Sequence, residues 1–294
     1  MPSHDAARVL QIGPFRVRIH CDIPAVKQGL DRLYADYPQH PSSVFCDFQI
    51  RLFPPVGIRR FIRKQVIFAF DQFIPFKPLP YNQAMPFFEW GLNWCISGYA
   101  HRFLIIHAAV IEKHGKALMM PGTPGAGKST LCAALVNQGW RLLSDELTLI
   151  DCQSGVIQPV PRPVSLKNQS IDLIAQRYPD AIFSPVVNDT LKGSVALMKP
   201  PQAAVVRADE TAMPAVVVFP AFQPNAELSL APLSQATAFM KLADLSFNYS
   251  VLGSVGFDVL ANMVADCRAY DFAYGGDFDQ AAETFDALLG DAAS

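Results

Sequence analysis

The stretch Gly122-Thr123-Pro124-Gly125-Ala126-Gly127-Lys128-Ser129, followed by Thr130, has the residue types of a phosphate-binding loop. It matches the pattern G-x-x-x-x-G-K-[ST]. Glycines let the backbone turn so that successive N–H groups point at a polyphosphate, and the positive end of a following helix adds to the attraction. We expect Lys128 to reach the β- and γ-phosphates and the Ser129 hydroxyl to ligate Mg²⁺. The sequence therefore predicts a site for ATP or GTP with Mg²⁺.

Acidic residues follow the loop at two positions. A bound Mg²⁺ needs carboxylate partners opposite the phosphates. Asp145 and Glu146 end the short strand that follows the loop's helix, and Asp151 ends the next apolar run. We favour Asp145 and Glu146, because a bend at a strand end lets both carboxylates reach the phosphate region. Asp151 stays the alternative.

His107 lies within an apolar run, Ile105–Ala109. Such a histidine is either an ordinary core residue or a partner of Asp145 that tunes the basicity of this carboxylate. In the second interpretation Asp145 accepts the proton of an attacking hydroxyl, while Lys128 and Mg²⁺ hold the γ-phosphoryl group. The residues alone leave both interpretations open.

Apolar runs and turn signals predict the elements that position these residues. Phe103–Ile111 and Lys116–Met120 are separated by a short turn-like segment, which predicts an antiparallel β-hairpin leading into the loop. This hairpin brings His107 near the phosphate end, and a helix over 129–138 follows the loop. Loops around a site are predicted for the Pro-, Ser- and Asn-rich stretches that carry Arg162, Lys167, Lys192 and Lys199.

Composition limits the classes of partner. The chain has 294 residues, of which 51% are hydrophobic, and a formal net charge of −2. This charge gives no nucleic-acid footprint, and no apolar run approaches the length of a membrane span, about 20 residues. The six cysteines show no C-x-x-C pair. We also see no signal-peptide pattern. We therefore expect a cytoplasmic protein that binds neither nucleic acid nor membrane.

The chain divides into two predicted units. Residues 1–94 alternate between strand patterns and one short helix, which predicts an N-terminal accessory α+β domain. An aromatic helix over about 85–100 follows a proline-rich connection, and we expect it to be core or interface. Residues 95–294 form the predicted α/β kinase domain around the loop.

Taken together, His107, the loop, Gly139-Trp140 and the stretch Leu142–Glu146 resemble the HPr kinase/phosphorylase family. The sequence is most similar to its shorter members, the HPr-kinase-related kinases. The resemblance extends over roughly residues 100–290, and its specific part is 107–146.

This resemblance implies a P-loop kinase core with a mixed sheet, similar to the nucleotide-binding core of phosphoenolpyruvate carboxykinase. It implies phosphoryl transfer to a hydroxyl, with His107 and Asp145 as the acid–base pair and Lys128 on the phosphates. Ser129 and Glu146, together with Asp145, are the implied metal ligands. The resemblance also implies homo-oligomers.

The sequence departs from the family pattern at two places. Glu146 stands where the HPr enzymes usually carry Asp, and Ser165–Ser170 replaces the segment associated with phosphorylase activity. Neither HPr as the substrate nor the reverse dephosphorylation is therefore carried over to this chain.

The leading hypothesis is a Mg²⁺- and NTP-dependent kinase. Its acceptor is a serine on a peptide or protein, or the hydroxyl of a small metabolite. A non-catalytic nucleotide sensor is the alternative from another class, and slow NTP hydrolysis is a third. A carboxylate next to the loop favours chemistry, because a sensor needs no base.

Overall fold

The structure is a computed structural model that describes residues 7–291. The ends of both predicted units, and the N-terminus on which the signal-peptide expectation rests, lie outside these residues. The helices are α1 (Pro24–Leu33), α2 (Ala84–Tyr99), α3 (Lys128–Asn137), α4 (Gln169–Arg177), α5 (Gln202–Val206), α6 (Gln235–Asp244), α7 (Tyr249–Leu252), α8 (Ser254–Asp266) and α9 (Phe278–Asp291).

The strands are β1 (Arg8–Ile12), β2 (Phe15–Cys21), β3 (Gln39–His40), β4 (Phe48–Phe53), β5 (Gln65–Phe70), β6 (Leu79–Pro80), β7 (Phe103–Lys113), β8 (Lys116–Pro121), β9 (Arg141–Ser144), β10 (Leu147–Asp151), β11 (Ile157–Gln158), β12 (Val164–Lys167), β13 (Val187–Thr190), β14 (Gly193–Met198), β15 (Met213–Phe222), β16 (Ser229–Pro232) and β17 (Arg268–Tyr274). Helices and strands are mixed along the chain, which confirms an α/β protein.

The first sheet has the strand order β3-β1-β2-β4-β5-β6. Strands β2 and β4 are parallel, whereas β1 pairs with β2, and β4 with β5, in antiparallel fashion. Alternating side chains of β2 and β4 are buried, as expected for strands with one face on the core. Helix α2 packs on this sheet, where Gly91 lies so close to Phe68 that a Cβ would meet its ring at 2.1 Å.

The central sheet is also mixed and carries the loop. Its order is β11-β10-β7-β8-β15-β17-β16, with β9 paired to β7. The predicted hairpin is confirmed, because β7 and β8 are antiparallel with Ala108 opposite Pro121. Strand β8 is parallel to β15, and β15 is parallel to β17. Helix α3 starts at Lys128, one residue before the predicted start.

A third sheet replaces part of the predicted loops. Strands β12, β14 and β13 form a small antiparallel sheet, and α4 follows β12 directly. Lys167 ends β12, so its assignment to a loop was wrong, whereas Lys192 lies in the turn between β13 and β14. Val164 and Leu166 of β12 are buried and alternate with Ser165 and Lys167, but the strand has only four residues. So short a segment takes its structure from pairing with β14 more than from its own propensity.

The boundary predicted at 94/95 falls inside α2, which runs from Ala84 to Tyr99. One hydrophobic cluster contains α2 residues such as Phe88 together with Phe103 and Leu147 from the central sheet. The two-unit division stays a prediction. Within residues 7–291, no helix is long and apolar enough to span a bilayer.

Candidate functional site

The loop of residues 122–127 connects the end of β8 to the start of α3. Gly125 and Gly127 have φ values of +94° and +88°, in the left-handed region that favours glycine. A Cβ on Gly127 would lie 2.6 Å from Tyr274 Oη and 3.0 Å from Phe222 Cβ. The Tyr274 hydroxyl donates to the Gly127 carbonyl oxygen at 3.2 Å. The loop therefore needs glycine at position 127, and the Tyr274 hydroxyl holds the loop backbone at this point.

The beginning of α3 has no side-chain cap, because Gly127 occupies the N-cap position. The first N–H groups of a helix have no partner within the helix, so they attract an anion. The Lys128 amine donates to the Gly122 carbonyl oxygen and, at 3.2 Å, to that of Thr123. Burial lowers the pKa of Lys128, and the charges of Asp145 and Glu146 oppose this shift. The lysine thus lies folded against the loop, with two carboxylates nearby.

Asp145 and Glu146 occupy the turn between β9 and β10. Asp145 is only 8% exposed. Its Oδ2 accepts from the Ser165 backbone N–H at 3.1 Å. Among the residues that the structure describes, none is a hydrogen-bond partner of Asp145 Oδ1. Burial raises the pKa of Asp145 to about 6, although the N–H of Ser165 and the hydroxyl of Ser129 both lower it.

Glu146 is partly buried and has a partner from a distant part of the chain. Its Oε2 accepts from Asn93 Nδ2 at 2.6 Å, and Asn93 belongs to α2. Asp145 and Glu146 therefore differ in environment. Asp145 is buried with a single backbone donor, and Glu146 is bonded to the amide of Asn93, a residue outside the predicted kinase domain.

His107 lies on β7 opposite Leu147 of β10, so strand pairing brings it beside the acidic turn. Its ring centroid is 5.7 Å from that of Phe247. Burial, and then the charge of Lys128, lowers its pKa to about 4, so the imidazole is neutral at physiological pH. Over residues 7–291, no hydrogen bond joins the His107 and Asp145 side chains. The structure thus brings both to one site but does not pair them directly.

A cavity of about 940 Å³ unites most of the predicted site residues. The members that line it are His107, Pro124, Gly125, Gly127, Lys128, Ser129, Thr130, Asp145 and Glu146. Gly122, Thr123 and Ala126 belong to the same loop but do not line the cavity. Asp151 does not line it either, and accepts instead from the N–H groups of Gln153 and Ser154 in its own turn. This placement favours Asp145 and Glu146 over Asp151.

The basic residues that were predicted around a site separate into two groups. Lys167 and Lys192 line the cavity, and the Lys192 amine also lies 5.3 Å from the ring centroid of Trp90. Arg162 does not line this cavity but donates to Asn93 Oδ1 at 2.6 Å. Lys199 pairs with Asp36 at 2.7 Å and takes no part.

The sequence reasoning missed several residues at the site, among them Asn93, Phe222 and Tyr274. Asn93 lies in an aromatic helix and has no motif of its own, so no local signal marks it. Phe222 and Tyr274 end the parallel strands β15 and β17, at the same edge as the loop. Ligands bind beyond the carboxyl ends of parallel strands, so this position was the available signal.

Comparisons with known proteins give a partial family match and a distant structural likeness. The family model of SynChlorMet cassette protein ScmC matches residues 97–167, less than half of the chain. No curated protein matches the sequence. Among solved structures, the HPr(Ser) kinase/phosphatase from Coxiella burnetii is similar at 10% sequence identity with a TM-score of 0.28, over 64% of this chain and 94% of that chain. The likeness to that protein is a distant structural resemblance.

Proposed function

We propose that this chain is an NTP-dependent kinase that transfers the γ-phosphoryl group to an alcohol. The observation that supports this most directly is the position of Asp145. It is buried at the same cavity as the loop and Lys128, with Oδ2 held by a backbone N–H and Oδ1 without a hydrogen-bond partner among residues 7–291. A carboxylate oxygen in such a place can accept a substrate proton. Its raised pKa is consistent with this role.

In this proposal the nucleotide's phosphates lie on the N–H groups of the loop and of the first turn of α3. Lys128 supplies a positive charge beside them. In the transfer step, the acceptor's hydroxyl oxygen bonds to the γ-phosphorus, and the bond from that phosphorus to the β–γ bridging oxygen breaks. Its electron pair leaves with the nucleoside diphosphate, and the hydroxyl proton passes to Asp145 Oδ1. His107, as a neutral imidazole, assists by hydrogen bonding to the acceptor hydroxyl.

The residues at the cavity also suit Mg²⁺. Ser129, Asp145 and Glu146 offer hydroxyl and carboxylate oxygens, the donors that this ion prefers. Within residues 7–291, there is no cluster of three or more His, Cys, Asp or Glu side chains that could hold a metal ion by itself. Mg²⁺ at a nucleotide site does not require such a group, because it takes one or two carboxylates and completes its shell with phosphates and water. When bound, it supplies neutralisation of charge on the phosphates.

The proposal is tested with γ-labelled ATP and GTP, Mg²⁺, and a panel of small alcohols and serine peptides. We expect the wild type to transfer phosphate. The Asp145→Asn variant should bind nucleotide as well but transfer phosphate about 10²–10⁴-fold more slowly. Asp151→Asn is the matched control, because this carboxylate ends the neighbouring strand away from the cavity, and it should transfer as the wild type does. Equal transfer by Asp145→Asn would remove Asp145 from the role of base.

A nucleotide sensor is the second candidate, and one observation favours it. Glu146 is bonded to Asn93, so a ligand that moves the acidic turn also moves α2. A wild type that binds nucleotide with Mg²⁺ but transfers phosphate to no member of the panel, or to water, supports this sensor over the kinase.

A further inference from the structure

Asn93 connects the acidic turn to a buried polar network on α2. Its Nδ2 donates to Glu146 Oε2 at 2.6 Å, and its Oδ1 accepts from Arg162 Nη1, also at 2.6 Å. Arg162 follows β11 in the chain, so three segments that are distant in sequence meet at one amide.

The chemistry of the partners fixes which way the amide points. A guanidinium has only donors, so Arg162 must face the amide oxygen of Asn93. A carboxylate without its proton has only acceptors, so Glu146 must face the amide nitrogen. Rotation of the amide by 180° would set donor against donor and acceptor against acceptor. Asn93 therefore presents an N–H to Glu146 in one orientation only.

Arg162 is itself fixed in place. It is 8% exposed and donates through Nη2 to the carboxylate and the backbone oxygen of Glu89, at 2.8 and 3.2 Å. The Tyr34 hydroxyl donates to the other Glu89 oxygen at 2.6 Å. The Glu89 carboxylate and backbone oxygen thus hold the guanidinium of Arg162, which in turn holds the amide oxygen of Asn93.

Glu146 keeps one oxygen for another ligand. Its Oε2 is taken by Asn93, whereas no side chain or backbone group in residues 7–291 is a hydrogen-bond partner of Oε1. Glu146 lines the large cavity, as do its neighbour Asp145 and the hydroxyl-bearing Ser129. A partner that holds one oxygen of a metal-binding carboxylate orients the other, and such outer partners affect metal affinity strongly.

We propose that Asn93 is a positioning residue that orients Glu146 as a ligand of the nucleotide-bound metal ion. The predicted N-terminal unit, through α2, thereby supplies part of the active site. The inference rests on the proposed function, because it takes Glu146 as the metal-binding acid.

The experiment measures Mn²⁺ affinity by electron paramagnetic resonance, with a non-hydrolysable ATP analogue present and no turnover. We expect Asn93→Leu to bind Mn²⁺ about 10-fold or more weakly than the wild type, the loss typical of an outer-partner mutation. Its affinity for the analogue without metal should not change. Asn93→Ala keeps the helix and leaves space for water, and it serves as the second variant should the leucine variant fail to fold.

Tyr34→Phe is the matched control. It removes a hydrogen bond from the same network but leaves Asn93 and Glu146 in contact, so it should lower the melting temperature without weakening Mn²⁺ binding. Equal losses of Mn²⁺ affinity in the Asn93 and Tyr34 variants would overturn the inference, and so would wild-type affinity in the Asn93 variants or no Mn²⁺ binding by the wild type. Transfer by Asp145→Asn refutes the proposed base instead, and it leaves the Mn²⁺ result standing.

Discussion

The cavity has two sides that are built in different ways. The loop side, residues 122–130, comes from one continuous stretch, and in the proposed function it holds the phosphates through backbone N–H groups. The acidic side consists of Asp145 and Glu146. Their hydrogen-bond partners, Ser165 and Asn93, come from two other segments of the chain, and both bonds involve a carboxylate side chain. A backbone site depends on the conformation of a few glycines, whereas a side-chain site depends on each donor and acceptor. The two sides should therefore respond differently to substitution.

The largest effect on stability is expected behind the acidic side. Arg162→Leu leaves the Glu89 carboxylate, which is 3% exposed, without its ion-pair partner. Breaking one half of a buried pair costs about 3–5 kcal/mol of the free energy of unfolding, measured by urea denaturation. The variant should also weaken Mn²⁺ binding, because Asn93 loses the group that fixes its amide.

A surface pair and a double variant sharpen this result. Arg8→Leu removes a pair with Asp31 whose side chains are 31% and 63% exposed, and it should cost no more than about 1 kcal/mol. The double variant Arg162→Leu/Glu89→Leu leaves no unpaired charge, so it should be more stable than Arg162→Leu alone. A double variant that is less stable than the single one would contradict this account of the pair.

The pH dependence of stability tests the environment of Asp145. The folded-state pKa, about 6, is raised above the ordinary value of 3.8, so the folded protein prefers the protonated carboxyl. The stability that the proton contributes is complete below pH 3.8 and is lost as the pH rises through 6. The loss is at most about 3 kcal/mol. Asp145→Asn carries no charge at any pH, so without nucleotide and metal it should exceed the wild type in stability at pH 8.

This gain should shrink as the pH is lowered toward 4, and melting temperatures at several pH values measure it. Asp151→Asn is the control with the opposite sign. Burial alone raises the pKa of Asp151, but the N–H and hydroxyl of Ser154 and the N–H of Gln153 lower it overall. The charged form is therefore favoured in the fold, and Asp151→Asn should be less stable than the wild type at pH 8. If both variants changed stability in the same direction at pH 8, the opposite pKa shifts of Asp145 and Asp151 would be contradicted.

The two sides also differ in how far the sequence predicts them. The loop, the β7–β8 hairpin and the start of α3 follow from a motif and from local apolar patterns, and the structure confirms the two secondary-structure elements. The contact between Asn93 and Glu146 joins residues 53 positions apart and depends on how α2 packs. The sheet that carries Lys167 was missed because β12 has only four residues and depends on pairing with β14. Residue patterns predict the elements that form within a short stretch, whereas contacts between distant segments can be identified only from the folded structure.

The smallest effect on the free energy of unfolding is expected on the loop side, where Gly127→Ala can be compared with Gly139→Ala. Gly127 and Gly139 have φ values of +88° and +94°, so alanine adds similar backbone strain at both. The Cβ of Gly127→Ala would meet Tyr274 Oη at 2.6 Å, whereas that of Gly139→Ala meets nothing within 4 Å. Tyr274 is 1% exposed and cannot move aside easily. Gly127→Ala should therefore cost about 1–3 kcal/mol more than Gly139→Ala, the range for an overpacked core.

Urea denaturation of the two glycine variants measures this difference, and nucleotide binding measures its consequence for the loop. Gly127→Ala should also weaken nucleotide binding, because the displaced backbone turns its N–H groups away from the phosphates. Gly139→Ala should bind as the wild type does, since Gly139 lies beyond the far end of α3. Equal stability of the two variants would mean that Tyr274 does not restrain the loop. The loop side would then depend on the glycines alone, with no support from the aromatic residues at the ends of β15 and β17.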